Sequence, residues 1–363
     1  MVSEKRSVLT KRFLFLLGLL SLFYSPVPTG AQDPKEDIVR VRTRVVFVDT
    51  LVNDKTTGAP VADLTRENFE VLADGKPRTL SYFSREGDER RRPLALVLVL
   101  DLVFGGAQNY LRRPEILESL TAALKKLPPE DEVAVVANLG GAGGSLKTLT
   151  DFTRDRTKIA EALAAAPGLP MPQPTRYGEE LETILRGVER AAAERPDSQI
   201  IVVPVISTFA PTAIAQRDKI AARLIRANVL LSPLMSNPGK GSMRMRGVPG
   251  KYPAPPRPIL DALGRLGGWD NNAPKNIAQQ TGGEATSVRQ PEDYGAALEK
   301  LIANLAARYN LGFTLKQSEQ DDGRMHKLEV RTKARDSKGK ERKLIVSARR
   351  GYYLKMQEAP VAK

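Results

Sequence analysis

Residues 94–101 read Leu94-Ala95-Leu96-Val97-Leu98-Val99-Leu100-Asp101, an unbroken apolar run closed by one carboxylate. A run of this length that is apolar at every position suits a strand buried on both faces, as in the centre of a parallel sheet. Open α/β sheets place ligands at the carboxyl ends of their strands, which makes Asp101 the first candidate site residue. The residues after it, Leu102, Val103, Phe104 and Gly105, offer no side-chain oxygen.

Outward from this strand the pattern alternates. Residues 111–126 have helical spacing and stop at Pro128-Pro129; 131–137 form a second apolar strand, and a Gly-rich turn leads to a short strand at 145–150. Residues 156–166 and 179–194 predict helices, 199–206 repeats the buried-strand pattern, 214–226 is helical and 229–234 is a further strand. A helix at 277–280, a Gly282-Gly283 turn, a strand at 284–288 and a closing helix at 293–308 complete the series. Alternating β and α segments imply right-handed crossovers and a doubly wound, mostly parallel sheet, an α/β fold.

Both flanks read as β structure. Upstream, residues 38–52 are β-branched and partly alternate with Arg40, Arg42 and Arg44; 69–72 and 78–83 form a pair around Asp74-Gly75, a strong hairpin signal. Downstream, strands are expected at 309–316, 326–334 and 343–349, with a turn at Ser337-Lys338-Gly339. Neither flank has enough strands to bury its own apolar face, so the two are expected to combine into one β-sandwich with the α/β domain inserted between them. The organisation expected is an N-terminal β segment at 32–85, the α/β domain at 86–308 and a C-terminal β segment at 309–355, which pairs with 38–84 and leaves a tail at 356–363.

Lys5, Arg6, Lys11 and Arg12 precede an apolar stretch at 13–24, and Thr29-Gly30-Ala31 is a small-residue cleavage site. Residues 1–31 are therefore expected to be a signal peptide cleaved near Ala31, with export to the periplasm or the extracellular space. The apolar stretch is shorter than the roughly 20 residues a membrane span needs; retention as an anchor is the competing reading. The chain of 363 residues has no cysteine, which excludes disulfides, thiol nucleophiles and Cys-based zinc sites. Its net charge is +14, and without the leader's four basic residues and one acid it keeps about +11. Such a surface favours anionic partners. Export and the lack of interleaved aromatics argue against nucleic acid.

Several fragments carry a family resemblance. Pro60-Val61-Ala62-Asp63-Leu64-Thr65, with Asn68-Phe69 and Asp74-Gly75-Lys76 after it, is similar to the opening signature of bacterial secreted proteins related to the von Willebrand factor A domain. So are Asp131-Glu132-Val133-Ala134-Val135-Val136, Phe152-Thr153-Arg154-Asp155, Ile277-Ala278-Gln279-Gln280-Thr281-Gly282-Gly283, Tyr309-Asn310-Leu311-Gly312-Phe313 and Gly351-Tyr352-Tyr353. The resemblance covers nearly the whole chain after the leader. It implies a Rossmann-type, von Willebrand A-like domain and, in the family, a metal-ion-dependent adhesion site built on D-x-S-x-S, a loop Thr and a later Asp.

Measured against that pattern the site is degenerate. Asp101 matches the first Asp, but Val103 and Gly105 stand at the serine positions. Thr175 is the surviving loop Thr, and Ser207-Thr208-Phe209 replaces the expected Ser-Asp-Gly. Magnesium needs near-octahedral oxygen coordination, so no metal and no cofactor is expected. Asp101 is then a solvated or hydrogen-bonded strand-end carboxylate. Asp101, Phe104, Thr175, Tyr177, Thr208 and Phe209 remain candidates for partner binding on the loops at the carboxyl edge; the three aromatics serve equally well as a cover for the core.

Other motifs yield less. The Gly140–Ser145 run does not open a helix and fails as a phosphate loop. Residues 236–276 form a Pro/Gly-rich insertion whose first part carries Lys240, Arg244, Arg246, Lys251 and Arg257 without an acid. Binding there would select anions. His326, the one histidine, is expected as a solvated strand residue, and no G-x-S-x-G elbow accompanies it. The functional expectation is an exported, non-enzymatic adhesion or assembly module recognising an unidentified protein without metal. The alternative is an envelope protein that binds anionic glycan or lipid headgroups through the insertion and touches membranes only at their surface. Oligomeric state stays open.

Overall fold

The computed structural model describes residues 44–85, 88, 91–103, 110–140, 145–171, 179–206, 216–236 and 272–354. Its elements are β1 (Val45–Asp54), β2 (Phe69–Ala73), β3 (Lys76–Arg78), β4 (Leu80–Ser84), β5 (Leu94–Asp101), α1 (Pro114–Leu124), β6 (Glu132–Gly140), β7 (Ser145–Thr153), α2 (Arg156–Ala164), α3 (Glu179–Glu194) and β8 (Gln199–Ile206). They continue with α4 (Arg217–Arg226), β9 (Val229–Leu231), β10 (Leu234–Ser236), α5 (Ala273–Thr281), β11 (Thr286–Val288), α6 (Tyr294–Ala306), β12 (Tyr309–Thr314), β13 (Met325–Thr332), β14 (Leu344–Ser347) and β15 (Gly351–Tyr353).

The strand at 94–101 lies at the centre of the α/β sheet, whose order is β11-β10-β8-β5-β6-β7 with β9 also on β8. All pairings are parallel except β6 with β7. β9 and β10 are one strand interrupted at Ser232-Pro233, since both run along β8. Counted so, the order is that of a doubly wound sheet, 3-2-1-4-5-6, which reverses direction between β5 and β8.

Burial explains the unbroken apolar run. Leu94, Leu96, Leu98 and Leu100 face a layer built by α1, α2 and α6, while Ala95, Val97 and Val99 face α3, α4 and α5. Alternate side chains leave opposite faces of a strand, so a strand covered on both sides needs apolar residues at every position. The expected helix from 111 begins at Pro114 instead. Proline fits the first helical turn, where its missing N–H would have no partner anyway. Asp155 caps α2 by accepting from the Thr157 and Lys158 amides.

The two flanks form two four-stranded antiparallel sheets, β14-β1-β12-β4 and β15-β13-β2-β3. Strands from opposite ends of the chain pair directly: β1 with β12 and β14, and β2 with β13. The sheets share one core containing Val46, Val48, Phe69, Val71, Leu311, Phe313, Leu328 and Tyr352. Edge-on contact between Phe313 and Tyr352, with centroids 5.6 Å apart, joins the faces. The expected strand at 78–83 proves to be two. β3 closes the hairpin on β2 over Asp74 and Gly75, both at positive φ, and after Thr79 the chain crosses to the other sheet, where β4 pairs with β12. Gly351–Tyr353, expected only as a terminal motif, is a strand on β13.

The resembling motifs turn out to be joints. Tyr309 donates its hydroxyl to the Val61 carbonyl at 2.7 Å and accepts from the Leu64 amide at 3.0 Å, which ties the Pro60–Thr65 loop to β12. Gly282 ends α5 in the left-handed region, at φ 84, against the backbone of Arg349. A Cβ on Gly283 would fall 2.0 Å from the Leu231 carbonyl oxygen. Arg350 N–H donates to the Gln280 carbonyl at 2.9 Å, and the Arg226 guanidinium lies 4.1 Å over the Tyr353 ring. Thr281-Gly282-Gly283 thus fastens the α/β layer to the sandwich.

Candidate functional site

Asp101 is the last residue of β5, on the strand next to the point where the sheet order reverses. Its partner in register on β6 is Asn138. Asp101 ends its strand and Asn138 lies two residues before the end of β6, and both are buried, 5% and 6% exposed. The Asp101 Oδ1 atom accepts from the Val103 amide at 3.1 Å and from Asn138 Nδ2 at 3.2 Å. Asn138 Oδ1 in turn accepts from the amide of Gly140 at 3.2 Å, which sets the amide orientation. Gly140 reaches that position at φ 68, a conformation glycine adopts without steric cost. Asp101 is a hydrogen-bonded strand-end carboxylate.

The described partners of the Asp101 Oδ1 atom are both N–H donors. The Asn138 side chain, facing Asp101 across the strands, brings an N–H to this oxygen, whereas a bound cation takes oxygen ligands. Val103, at the first serine position, contributes its backbone N–H to the same carboxylate. Among the described residues no group of three or more His, Cys, Asp or Glu side chains is placed to hold a metal.

Of the expected contact residues, Asp101 is placed as above. Phe104, Thr175, Tyr177, Thr208 and Phe209 lie outside the described residues, as do 237–271 of the basic insertion and Gly141–Gly144 of the glycine-rich turn. The structure adds polar residues at the same edge. Ser236 ends β10, its hydroxyl 3.4 Å from the Ile206 carbonyl. Tyr294, at the start of α6, is fully buried; burial raises its hydroxyl pKa, and the neighbouring Ser236 partly offsets this. Asn138 lies inside β6, with Leu139 and Gly140 after it, so no strand-end carboxylate or amide marked it in the sequence. Tyr294 had no such signal, since it starts a helix.

His326 departs from the expectation of a solvated residue. It is 7% exposed, with Nδ1 2.8 Å from Asp74 Oδ2 and Nε2 3.2 Å from Asp322 Oδ1. Its ring stacks on Tyr352 at 5.1 Å. The Asp74-Gly75 turn and the loop before β13 close over it, contacts invisible to strand alternation. The His326 hydrogen bond holds the Asp74 carboxyl below its ordinary range. With a carboxylate at each nitrogen, the ring has no atom left for activating a nucleophile.

No protein-family model matches the sequence. No curated protein matches it either. Among solved structures it is similar to proximal thread matrix protein 1 of the mussel byssus, at 12% identity over 61% of this chain and 50% of that one, with a TM-score of 0.39. A von Willebrand factor type A protein from Catenulispora acidiphila is 10% identical over 87% of this chain and 74% of that one, with a TM-score of 0.40. Manganese-loaded TRAP protein of Plasmodium vivax is 12% identical over 77% and 95%, with a TM-score of 0.39. The chain spans about half the length of the mussel protein. Likeness this shallow says nothing of ligand or activity, and the doubly wound fold stands on its own strand order and pairing. Among the described residues no helix is long and apolar enough to cross a membrane.

Proposed function

We propose that this chain is an exported, non-enzymatic recognition module that binds a protein partner at the carboxyl edge of its α/β sheet without a divalent ion. The observation that carries the reading is the state of Asp101. It stands beside the reversal of strand order, where open sheets bind ligands, and its Oδ1 is bonded to Asn138 and Val103. The position of a ligand site is kept while the metal chemistry of the resembling family is not. Phe104, Tyr177 and Phe209 are the aromatic anchors this reading assigns to the surrounding loops, with Thr175 and Thr208 beside them. The leader at 1–31 and the absence of cysteine fit an exported protein stabilised by its core alone.

The test is capture from the native envelope, with the chain bearing Asp101→Ala, Tyr177→Ala and Phe209→Ala as comparison. Capture that survives EDTA and is lost in the triple variant supports the reading. Capture abolished by EDTA, or unchanged in the triple variant, overturns it. A second reading rests on the net charge of +14 and the acid-free basic run 240–257. It gains if binding instead falls steeply with salt and disappears when 240–257 is deleted.

A further inference from the structure

Three arginines are buried where the sandwich meets the amino end of the α/β sheet. Arg308 and Arg349 are 4% and 8% exposed, and the Arg92 side chain is 9% exposed. One buried carboxylate lies among them, Asp49 on β1. Its Oδ2 is 4.0 Å from Arg92 Nη1, the limit of an ion pair. Arg308 Nη1 donates to the Asp49 backbone carbonyl at 3.4 Å, not to the carboxylate. Arg349 likewise donates to a backbone carbonyl, that of Phe47. No described carboxylate forms an ion pair with Arg308 or Arg349. Arg308 Nε and Nη2 and Arg349 Nε are buried without any hydrogen-bond partner.

Buried charges are normally paired, because removing an ion from water is costly and only a nearby opposite charge offsets it. Here Arg92, Arg308 and Arg349 share two carboxylates, Asp49 and the more distant Glu284, while Arg91 on the cavity wall is paired with Asp131 and Glu130; one positive charge is left over. Burial pushes the Arg349 guanidinium down to about 10 and Arg308 downward as well, and an arginine at about 10 is still cationic at neutral pH. Guanidinium protons are donors only. Water satisfies them but leaves the charge uncompensated.

A small cavity opens at this spot. Asp49, Arg92, Gln199, Arg308 and Asn310 line it together with the start of β5. Its volume is about 10 Å³, room for a single water-sized occupant. The lining comes from both layers, β1 and β12 on one side and β5 and β8 on the other.

We propose that this cavity binds one monatomic anion of chloride size, held by Arg308 and Arg92 and joining the sandwich to the α/β layer. The chemistry selects a halide. The excess positive charge favours an anion and the unpartnered N–H groups need an acceptor; a monatomic anion is the smallest group that supplies both. Nothing in this site depends on the recognition edge around Asp101, at the opposite end of the sheet.

The experiment is thermal unfolding of the full chain in sodium chloride, sodium bromide, sodium sulfate and sodium gluconate at matched ionic strength. Chloride and bromide are expected to raise Tm in a saturable way relative to gluconate, and sulfate is not. Arg308→Met should abolish the saturable rise, while Arg350→Met, at an exposed neighbour, should keep it. Should Arg308→Met fail to fold, bromide-soaked crystals of the unaltered protein decide: an anomalous peak beside Arg308 is expected. Equal Tm in chloride and gluconate, or a cavity without an anomalous peak at high bromide, overturns the proposal.

Discussion

Asn138 donates its side-chain N–H to the Asp101 carboxylate over 3.2 Å, between neighbouring parallel strands. The bond gives a buried charge a fixed partner on the scaffold. Hydrogen bonds to charged groups contribute about 1.5–3 kcal/mol. Asn138→Ala is therefore expected to lower unfolding free energy by that amount in urea titration. Asn138→Asp should cost more, because it sets two carboxylates against each other.

The Tyr309 hydroxyl bridges Val61 and Leu64 from inside the sandwich core. Tyr309→Phe leaves a buried amide and a buried carbonyl unpaired, a loss of about 1–3 kcal/mol. Denaturant unfolding measures it. An unchanged midpoint would show that the Pro60–Thr65 loop is held by its apolar contacts alone.

Gly283 packs directly on the Leu231 carbonyl, and no side chain fits there. Gly283→Ala should destabilise by about 3 kcal/mol, at the upper end of ordinary overpacking. Gly168→Ala is the control: a Cβ there meets nothing within 4 Å, and its Tm should stay put.

Acid should loosen the sandwich through Asp74. Its folded pKa lies below the ordinary value of 3.8, chiefly through the His326 hydrogen bond. The unfolded chain thus binds the proton more readily, so stability rises with pH across this window. The contribution is fully present above about pH 4 and disappears as pH falls through the lowered folded value. Stability curves of the unaltered chain and Asp74→Asn should differ most near neutrality and converge as pH falls through the lowered folded value. A constant gap across the acid range would assign the effect to something other than this carboxylate.

The elements most legible in the sequence were those with a single physical cause. β5 from Leu94 to Leu100 and β8 from Ile200 to Ile206 were apolar at every position because both faces are covered, and the shortage of strands at each end implied that the ends must meet. What escaped notice depended on contacts distant in the chain. The crossing after Thr79 divides one alternating stretch between two sheets, and alternation does not record which sheet a residue joins. His326, Arg308 and Arg349 carry side chains that are usually solvated, and only tertiary packing encloses them. At the carboxyl edge of the sheet Asp101 was visible because it ends an apolar run. Its partner Asn138 was not, because the second strand continues past Ala137, where its unbroken apolar run stops.

The central claim is that Asp101 serves a recognition edge that holds no divalent ion. Thermal unfolding in EDTA, then with magnesium or manganese added in excess at constant ionic strength, tests this directly. Equal Tm in all conditions is the predicted result. An ion bound specifically at a hundred times its Kd would add about 2.7 kcal/mol, and a Tm increase of several degrees that Asp101→Ala removes would contradict the account.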